Sequence, residues 1–66
     1  MSISLDTIRV GKKYFLINHG ERHDFVVIEK ITSKNFKVKD SHSLEVYEIN
    51  DLLQFGKGKD YELREA

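Results

Sequence analysis

The side chains of this sequence that are best suited to chemistry are its three histidines and the acidic residues near them. His19, His23, Asp24 and His42 carry imidazole and carboxylate groups, which are common ligands of zinc and nickel. Their spacing fits no standard metal motif, and histidines in exposed loops are common. We therefore expect neither a metal site nor a cofactor.

A second candidate for chemistry is the short run Asp40, Ser41, His42 and Ser43. Hydrolytic catalysis needs a nucleophile, a histidine base and an acidic residue that converge in a pocket. Four neighbours on one tight turn point apart from one another, and a domain this small leaves little room for a substrate pocket of about 300 Å³. The run predicts turn chemistry, and we expect the protein not to be an enzyme.

Lysine side chains form a candidate nucleic-acid site. Lys37 and Lys39 alternate with apolar residues and would face outward from one strand. Proteins that bind single-stranded RNA combine lysines for the phosphates with exposed aromatic rings for the bases. The residues of this kind here are Lys30, Lys34, Lys37, Lys39, Tyr47, Lys57 and Lys59. Glu29, Glu45 and Glu48 are interleaved with them, so solvated charge is the simpler interpretation and RNA binding the alternative function.

The first two predicted strands carry apolar residues on both faces. Tyr14 and Leu16 are predicted to point inward together with Val26 and Ile28. The opposite face would then be formed by Phe15, Ile17, Phe25 and Val27. Contiguous exposed apolar side chains mark interfaces, so this face is the candidate surface for a protein partner or a second copy of the chain, unless the N-terminal segment covers it. On the interface hypothesis, Phe25→Asp would remove the contact and leave the fold intact.

Five extended segments and one helical turn would position these residues. Their β-branched and aromatic content, with the turn residues between them, predicts strands at residues 12–18, 25–31, 35–39, 43–49 and 60–65. A polar loop at 19–24 would join the first two strands, and Asn50 and Gly56 would bound a helical turn at 51–55. Residues 1–11 would form an apolar lid segment before the first strand.

The third and fourth predicted strands form a hairpin around residues 40–42. If that turn has three residues, Val38 lies opposite Leu44 and Lys37 opposite Glu45. This register matches apolar with apolar side chains and lysine with glutamate, whereas a shift by one residue would place lysines opposite apolar side chains. The charge and hydropathy pattern therefore predicts an antiparallel pair in this register.

Five short strands with one helical turn between the fourth and the fifth resemble the SH3-like barrel superfold, and most closely its Tudor and KOW-like branch. The residues that carry the resemblance are Val10 and Gly11 before the first strand, Val26, Ile28 and Ile31 in the second, and Asn50, Asp51 and Leu52 after the fourth. The resemblance covers most of the chain. It implies an all-β, five-stranded antiparallel barrel in a single domain of residues 1–66.

The ligand sites of that superfold are not matched by this chain. Tudor domains that bind methylated side chains use a cage of aromatic rings, and the corresponding positions fall near Asn18, Asp24, Val38 and Ser41. SH3 domains that bind proline-rich segments use a groove that includes Trp, and this chain has no Trp. We therefore expect neither of these binding activities.

Composition limits the remaining functional classes. A chain of 66 residues buries only about 60% of its unfolded surface, so self-association is a common way for such a domain to gain stability. Basic and acidic residues balance at 11 each, Cys is absent, and no signal peptide or membrane span is recognisable. We expect a cytoplasmic, non-enzymatic protein-interaction or adaptor module, with binding of single-stranded RNA as the alternative.

Overall fold

The computed structural model of the protein describes residues 3–66, so Met1 and Ser2 of the predicted lid segment lie outside the described residues. A 3-10 turn at Leu5–Thr7 precedes the sheet. The remaining elements are β1 (Lys13–Asn18), β2 (Glu21–Thr32), β3 (Asn35–Asp40), β4 (Val46–Glu48), α1 (Ile49–Leu52) and β5 (Glu62–Glu65). The prediction of five strands with a helical turn between the fourth and the fifth is confirmed.

The strands form one antiparallel sheet in the order β4-β3-β2-β1-β5. This arrangement is consistent with a small β-barrel-like domain. Within residues 3–66, β4 and β5 do not pair with each other, so backbone hydrogen bonds do not close the sheet into a barrel. The shared central strand is β2, which pairs with β1 along its first half and with β3 along its second half.

The hairpin between β1 and β2 is tighter than predicted. Asn18 lies directly opposite Glu21, so only His19 and Gly20 form the turn. Both residues have positive φ, at 51° and 77°, which is the backbone geometry of the two-residue turn that best fits the twist of a hairpin. The predicted polar loop at 19–24 is therefore wrong, because β2 already begins at Glu21.

This hairpin decides which residues of β2 enter the core. Residues opposite each other in an antiparallel pair share a face, and Tyr14 lies opposite Phe25. Phe25 and Val27 are fully buried, so their predicted outward orientation is wrong. The error arose because residues 25–28 are four consecutive apolar residues, which show no alternation from which a face can be chosen. The core consists of Ile8, Tyr14, Leu16, Phe25, Val27, Phe36, Val38, Ile49 and Leu63.

A β-bulge in β2 then changes the direction of the following side chains. The pairing with β3 shifts between Val27 and Glu29, so Ile28 is the extra residue. Bulges bend the strand and redirect a side chain. Ile28 is 41% exposed, and Val26 lies opposite Lys39 on the outer face, so the prediction that these two side chains point inward is wrong.

The β3–β4 hairpin has a longer turn than predicted. Val38 lies opposite Tyr47 and Lys37 opposite Glu48, so the predicted register is wrong by three residues. The cause is the carboxylate of Asp40, whose Oδ1 accepts hydrogen bonds from the backbone N–H groups of His42 and Ser43 at 2.7 and 2.9 Å. Such a side-chain turn stabilises a wider loop and delays the start of β4.

The connection from β4 to β5 is held by α1 and by a buried asparagine. α1 starts earlier than predicted, because Glu48 and Asp51 form a capping box around its first turn and Ile49 enters the core. The side-chain amide of Asn18 donates to the carbonyl oxygen of Gly56 at 3.1 Å, and its Oδ1 accepts from the N–H of Gly58 at 2.7 Å. These bonds tie the loop after α1 to the end of β1.

The N-terminal segment packs against the sheet. Ile8 is a core residue, and Ile3 and Leu5 pack against the core from outside it. The N–H of Ile3 donates to the carbonyl oxygen of Leu63 at 2.8 Å, so this segment also lies along β5. Val10, by contrast, is 55% exposed.

Candidate protein-interaction surface

The outer face of the sheet has two halves that differ in how their apolar residues are covered. The closed half, on β5, β1 and the first part of β2, is formed by Phe15, Ile17, Arg22, Asp24, Glu62 and Arg64. Phe15 and Ile17 are half-buried and face outward as predicted. The guanidinium carbon of Arg22 lies 4.3 Å from the centre of the Phe15 ring, which places a cation over the ring.

Ion pairs hold this cover in place. Nη2 of Arg22 lies 3.0 Å from Oδ1 of Asp24, and Nε donates to the same carboxylate. These hydrogen bonds hold the pKa of Asp24 below its ordinary value. Arg64 and Glu62 pair beside them on β5. The apolar residues of the closed half are thus covered by charged side chains of their own sheet.

The open half lies on the outer face of β2, β3 and β4. Its apolar residues are Val26, Ile28 and Val46, which we call the outer patch. Lys39 lies opposite both Val26 and Val46, so these three residues form one row across the strands. Ile28 is 41% exposed and Val46 49% exposed. No ion pair of the described residues covers this row.

Charges of both signs flank the outer patch. Lys37 lies between Glu29 of β2 and Glu48 of β4 in the next row of the same face. Cross-strand neighbours of opposite charge attract each other, and this row of one lysine and two glutamates carries both signs of charge. The arrangement places a small apolar centre beside a mixed polar rim, which is the usual anatomy of a protein interface.

The structure separates the four residues predicted to bind a partner. Phe15 and Ile17 lie on the closed half, while Phe25 and Val27 are in the core. The predicted surface therefore does not exist as one face. The outer patch was missed because the two-residue turn at His19 and the bulge at Ile28 together determine which side chains of β2 face outward. The positive-φ preference of an Asn-His-Gly sequence was the available signal for that turn.

The predicted nucleic-acid residues are also divided between surfaces. Lys37 and Lys39 face outward from β3, but Tyr47 lies opposite Val38 on the inner face. Burial, and secondarily Asp40, raises the pKa of Tyr47 to about 12. Its hydroxyl donates to Oδ2 of Asp40 at 3.4 Å, so the ring is not presented beside the lysines.

The remaining lysines of that set lie elsewhere. Lys30 lines a cleft of about 580 Å³ beside residues 6–10, and Lys59 is exposed. Lys34 and Lys57 both line another cleft, of about 480 Å³, which we call the N-terminal cleft. Its lining residues are Ile3, Ser4, Leu5, Asp6, Lys34, Lys57 and Tyr61. Sequence reasoning missed this cleft because its three segments are far apart along the chain.

The histidine and aspartate residues considered for metal binding or catalysis make local contacts instead. His19 Nε2 lies 3.0 Å from the carbonyl oxygen of Gly56, whereas His42 Nε2 lies 3.8 Å from Oδ2 of Asp24. Two backbone N–H groups lower the pKa of Asp40. Among residues 3–66, no three His, Asp or Glu side chains converge in an arrangement that could hold a metal ion.

Comparison of the chain with protein-family models, curated protein sequences and solved structures finds no match. Across the described part of the chain, no helix has the length and apolar character needed to cross a membrane. Any argument about function therefore rests on the surfaces themselves.

Proposed function

We propose that the protein is a non-enzymatic protein-interaction module that associates with a second copy of itself through the outer patch. The observation that carries the proposal is the row formed by Val26, Lys39 and Val46, with Ile28 beside it, on a face where the other half is covered by charge. Exposed contiguous apolar side chains with a polar rim mark interaction sites.

The rim supports a second copy as the partner. A two-fold interface brings the same surface of both chains together, so it must be complementary to itself. Lys37 with its neighbours Glu29 and Glu48 provides both signs of charge on one rim. Rotation by two-fold symmetry can place the lysine of one copy against a glutamate of the other. A surface of one sign only would repel its own copy.

The size of the domain is compatible with such an interface. A standard interface buries about 800 Å² on each partner, which is under one fifth of the 4470 Å² surface described here. Burial of apolar surface in a dimer would also add to the modest stability of a small domain.

Sedimentation velocity over a wide range of protein concentration tests the proposal. We expect the wild-type protein to form dimers as the concentration rises. Val46→Asp replaces an apolar side chain of the outer patch by a carboxylate and should weaken association by more than about tenfold. The matched control is Phe55→Asp, because Phe55 is an apolar side chain that is 84% exposed and lies outside the outer patch. A monomeric wild type, or a Val46→Asp protein that still dimerises, would overturn the proposal.

Binding of single-stranded RNA is less well supported. Lys37 and Lys39 share the outer face, but Lys37 lies between two glutamates and the predicted stacking residue Tyr47 is on the inner face. We therefore expect an oligouridylate to leave the sedimentation of the protein unchanged. Binding that falls steeply with salt and is lost in Lys37→Glu would favour the RNA function instead.

We also infer that the sheet belongs to the SH3-like barrel superfold, in its Tudor and KOW-like branch. The support is the strand order β4-β3-β2-β1-β5, the long shared β2 and the position of α1 between β4 and β5. The positions that would form a Tudor cage include the buried residues Asn18 and Val38, so binding of methylated side chains has no support. Interstrand nuclear Overhauser effects that require a different strand order would contradict this assignment.

A further inference from the structure

We propose that the N-terminal cleft binds a peptide segment in which a carboxylate side chain adjoins an apolar one. The cleft shares no residue with the outer patch, so this site does not depend on the proposed self-association. Its lining combines apolar side chains from the N-terminal segment with two lysines from separate loops. The proposed dimer interface does not use these apolar side chains or these two lysines.

The apolar wall of the cleft has a fixed position. Ile3 and Leu5 pack against the core, and Tyr61 packs against it from the loop before β5. Tyr61 is half-buried, and this burial raises the pKa of its hydroxyl. The volume of about 480 Å³ lies in the range of about 300–1,000 Å³ that is typical of ligand sites, and it admits one or two side chains of a peptide.

The two lysines give the cleft positive charge, and neither is held in an ion pair within the described residues. Nζ of Lys57 lies 4.7 Å from the centre of the Tyr61 ring, so the ring face holds the ammonium group at the cleft. Lys34 reaches the cleft from the turn between β2 and β3. Within residues 3–66, neither lysine makes an ion pair with a carboxylate. Both ammonium groups are available to an anionic ligand.

The lining favours a peptide carboxylate over a nucleic acid. Asp6 also lines the cleft, so the site carries two positive charges and one negative charge and suits a singly charged group better than a chain of phosphates. Lys57 occupies one of the two faces of Tyr61, so a base would have to stack on the other face or displace the lysine. An apolar peptide side chain, in contrast, can lie on Ile3 and Leu5 while its neighbouring carboxylate meets the lysines.

Amide NMR spectra of the labelled full chain test this site. The probe is acetyl-Gly-Leu-Glu-Gly-amide, and its neutral control is acetyl-Gly-Leu-Gln-Gly-amide. We expect saturable shifts at Leu5, Lys57 and Tyr61. An ion pair at the surface is worth about two- to fivefold in affinity, so the glutamate peptide should bind more tightly than the glutamine peptide by that factor.

A pair of variants makes the test specific. Lys57→Met keeps the aliphatic length but removes one of the two positive charges, so it should reduce the preference for the glutamate peptide. Lys59→Met is the matched control, because Lys59 belongs to the same loop but does not line the cleft, and it should leave the preference unchanged. Equal binding of both peptides to the wild type, or shifts at other residues only, would overturn the proposal. Tighter binding of an oligouridylate at the same residues would also overturn it.

Discussion

The two halves of the outer face are built on the same sheet, share β2, and differ in what covers their apolar side chains. On the closed half, Arg22 lies over Phe15 and is held there by Asp24. On the open half, Val26 and Val46 have only Lys39 between them. A single sheet therefore covers the apolar side chains of one half with its own charges and leaves those of the other half partly exposed.

The difference begins with local backbone geometry. The two-residue turn at His19 and Gly20 brings Arg22 opposite Ile17 and next to Phe15. The bulge after Val27 then turns Ile28 outward on the other half of β2. The two halves thus follow from two short features, the turn before β2 and the bulge within it, and we expect substitutions in one half to leave the other unchanged.

The largest effect on stability is expected at Phe25, whose neighbour Val26 in β2 faces the opposite side of the sheet. Phe25 is fully buried, and replacing a buried Phe by a small residue costs about 3–5 kcal/mol even before a charge is buried. Phe25→Asp should therefore unfold the domain, as seen by far-UV circular dichroism. Val26→Asp should remain folded and lose only association, because Val26 is half-buried between Lys13 and Lys39. A folded Phe25→Asp protein would contradict the assignment of the two faces.

The next prediction compares two variants, one that should lower mainly stability and one that should weaken mainly association. Phe15→Ala should lower the free energy of unfolding by about 1 kcal/mol, because it removes a half-buried ring and its contact with Arg22, and should leave association unchanged. Ile28→Ala should weaken association and have a smaller effect on stability. Urea denaturation and sedimentation velocity of both variants measure the two quantities. If both variants weakened association equally, the two halves would not be functionally distinct.

A smaller effect follows from acidification of the closed half. Because the pKa of Asp24 is lowered in the folded protein, its contribution to stability is complete above its ordinary pKa near 3.8 and is lost as the pH falls below that value. Arg22 pairs with Asp24, and His42 and Asp40 lie close by, one attracting and one repelling the carboxylate charge.

The variant that isolates this contribution is Asp24→Asn. Urea midpoints of the wild type should fall between about pH 4 and pH 2, and the fall should be smaller in the variant. Asp40 and Asp60 also have lowered pKa values and act in both proteins, so only the difference between the curves reports on Asp24. Identical curves would show that the Arg22 pair does not stabilise the closed half.

Sequence patterns predicted the elements of this fold better than its faces. The strands with clear alternation, such as the one that contains Phe36 and Val38, were placed correctly and face the core as expected. The run at residues 25–28 has no alternation, so its orientation depended on a turn type and a bulge that the pattern does not encode. The Asp40 side-chain turn likewise changed the register of β4 without an effect on hydropathy.

The candidate sites were predictable only in part. The outward orientation of Phe15 and Lys37 followed from alternation within one strand. The N-terminal cleft joins Leu5, Lys34 and Tyr61, whose proximity depends on the path of three separate segments over the sheet. Such long-range proximity carries no signal in a single sequence.

The smallest expected effect is that of a substitution at Leu44, which tests whether the outer patch extends beyond Val46. Leu44 has φ of 63° and is 62% exposed, and asparagine tolerates this left-handed conformation better than leucine. Leu44→Asn should raise the free energy of unfolding by about 0.5 kcal/mol. Association should stay unchanged if the patch ends at Val46, and a weaker dimer would show that the interface includes Leu44.

The distinction between the two halves is tested most directly by amide NMR spectra of the wild-type protein during serial dilution. Resonances of residues that lie in a self-association interface shift as the dimer dissociates. We expect the shifts to be concentrated at Val26, Ile28 and Val46, with the amides of Phe15 and Ile17 unchanged. Spectra that do not depend on concentration, or shifts centred on Phe15 and Ile17, would contradict the account.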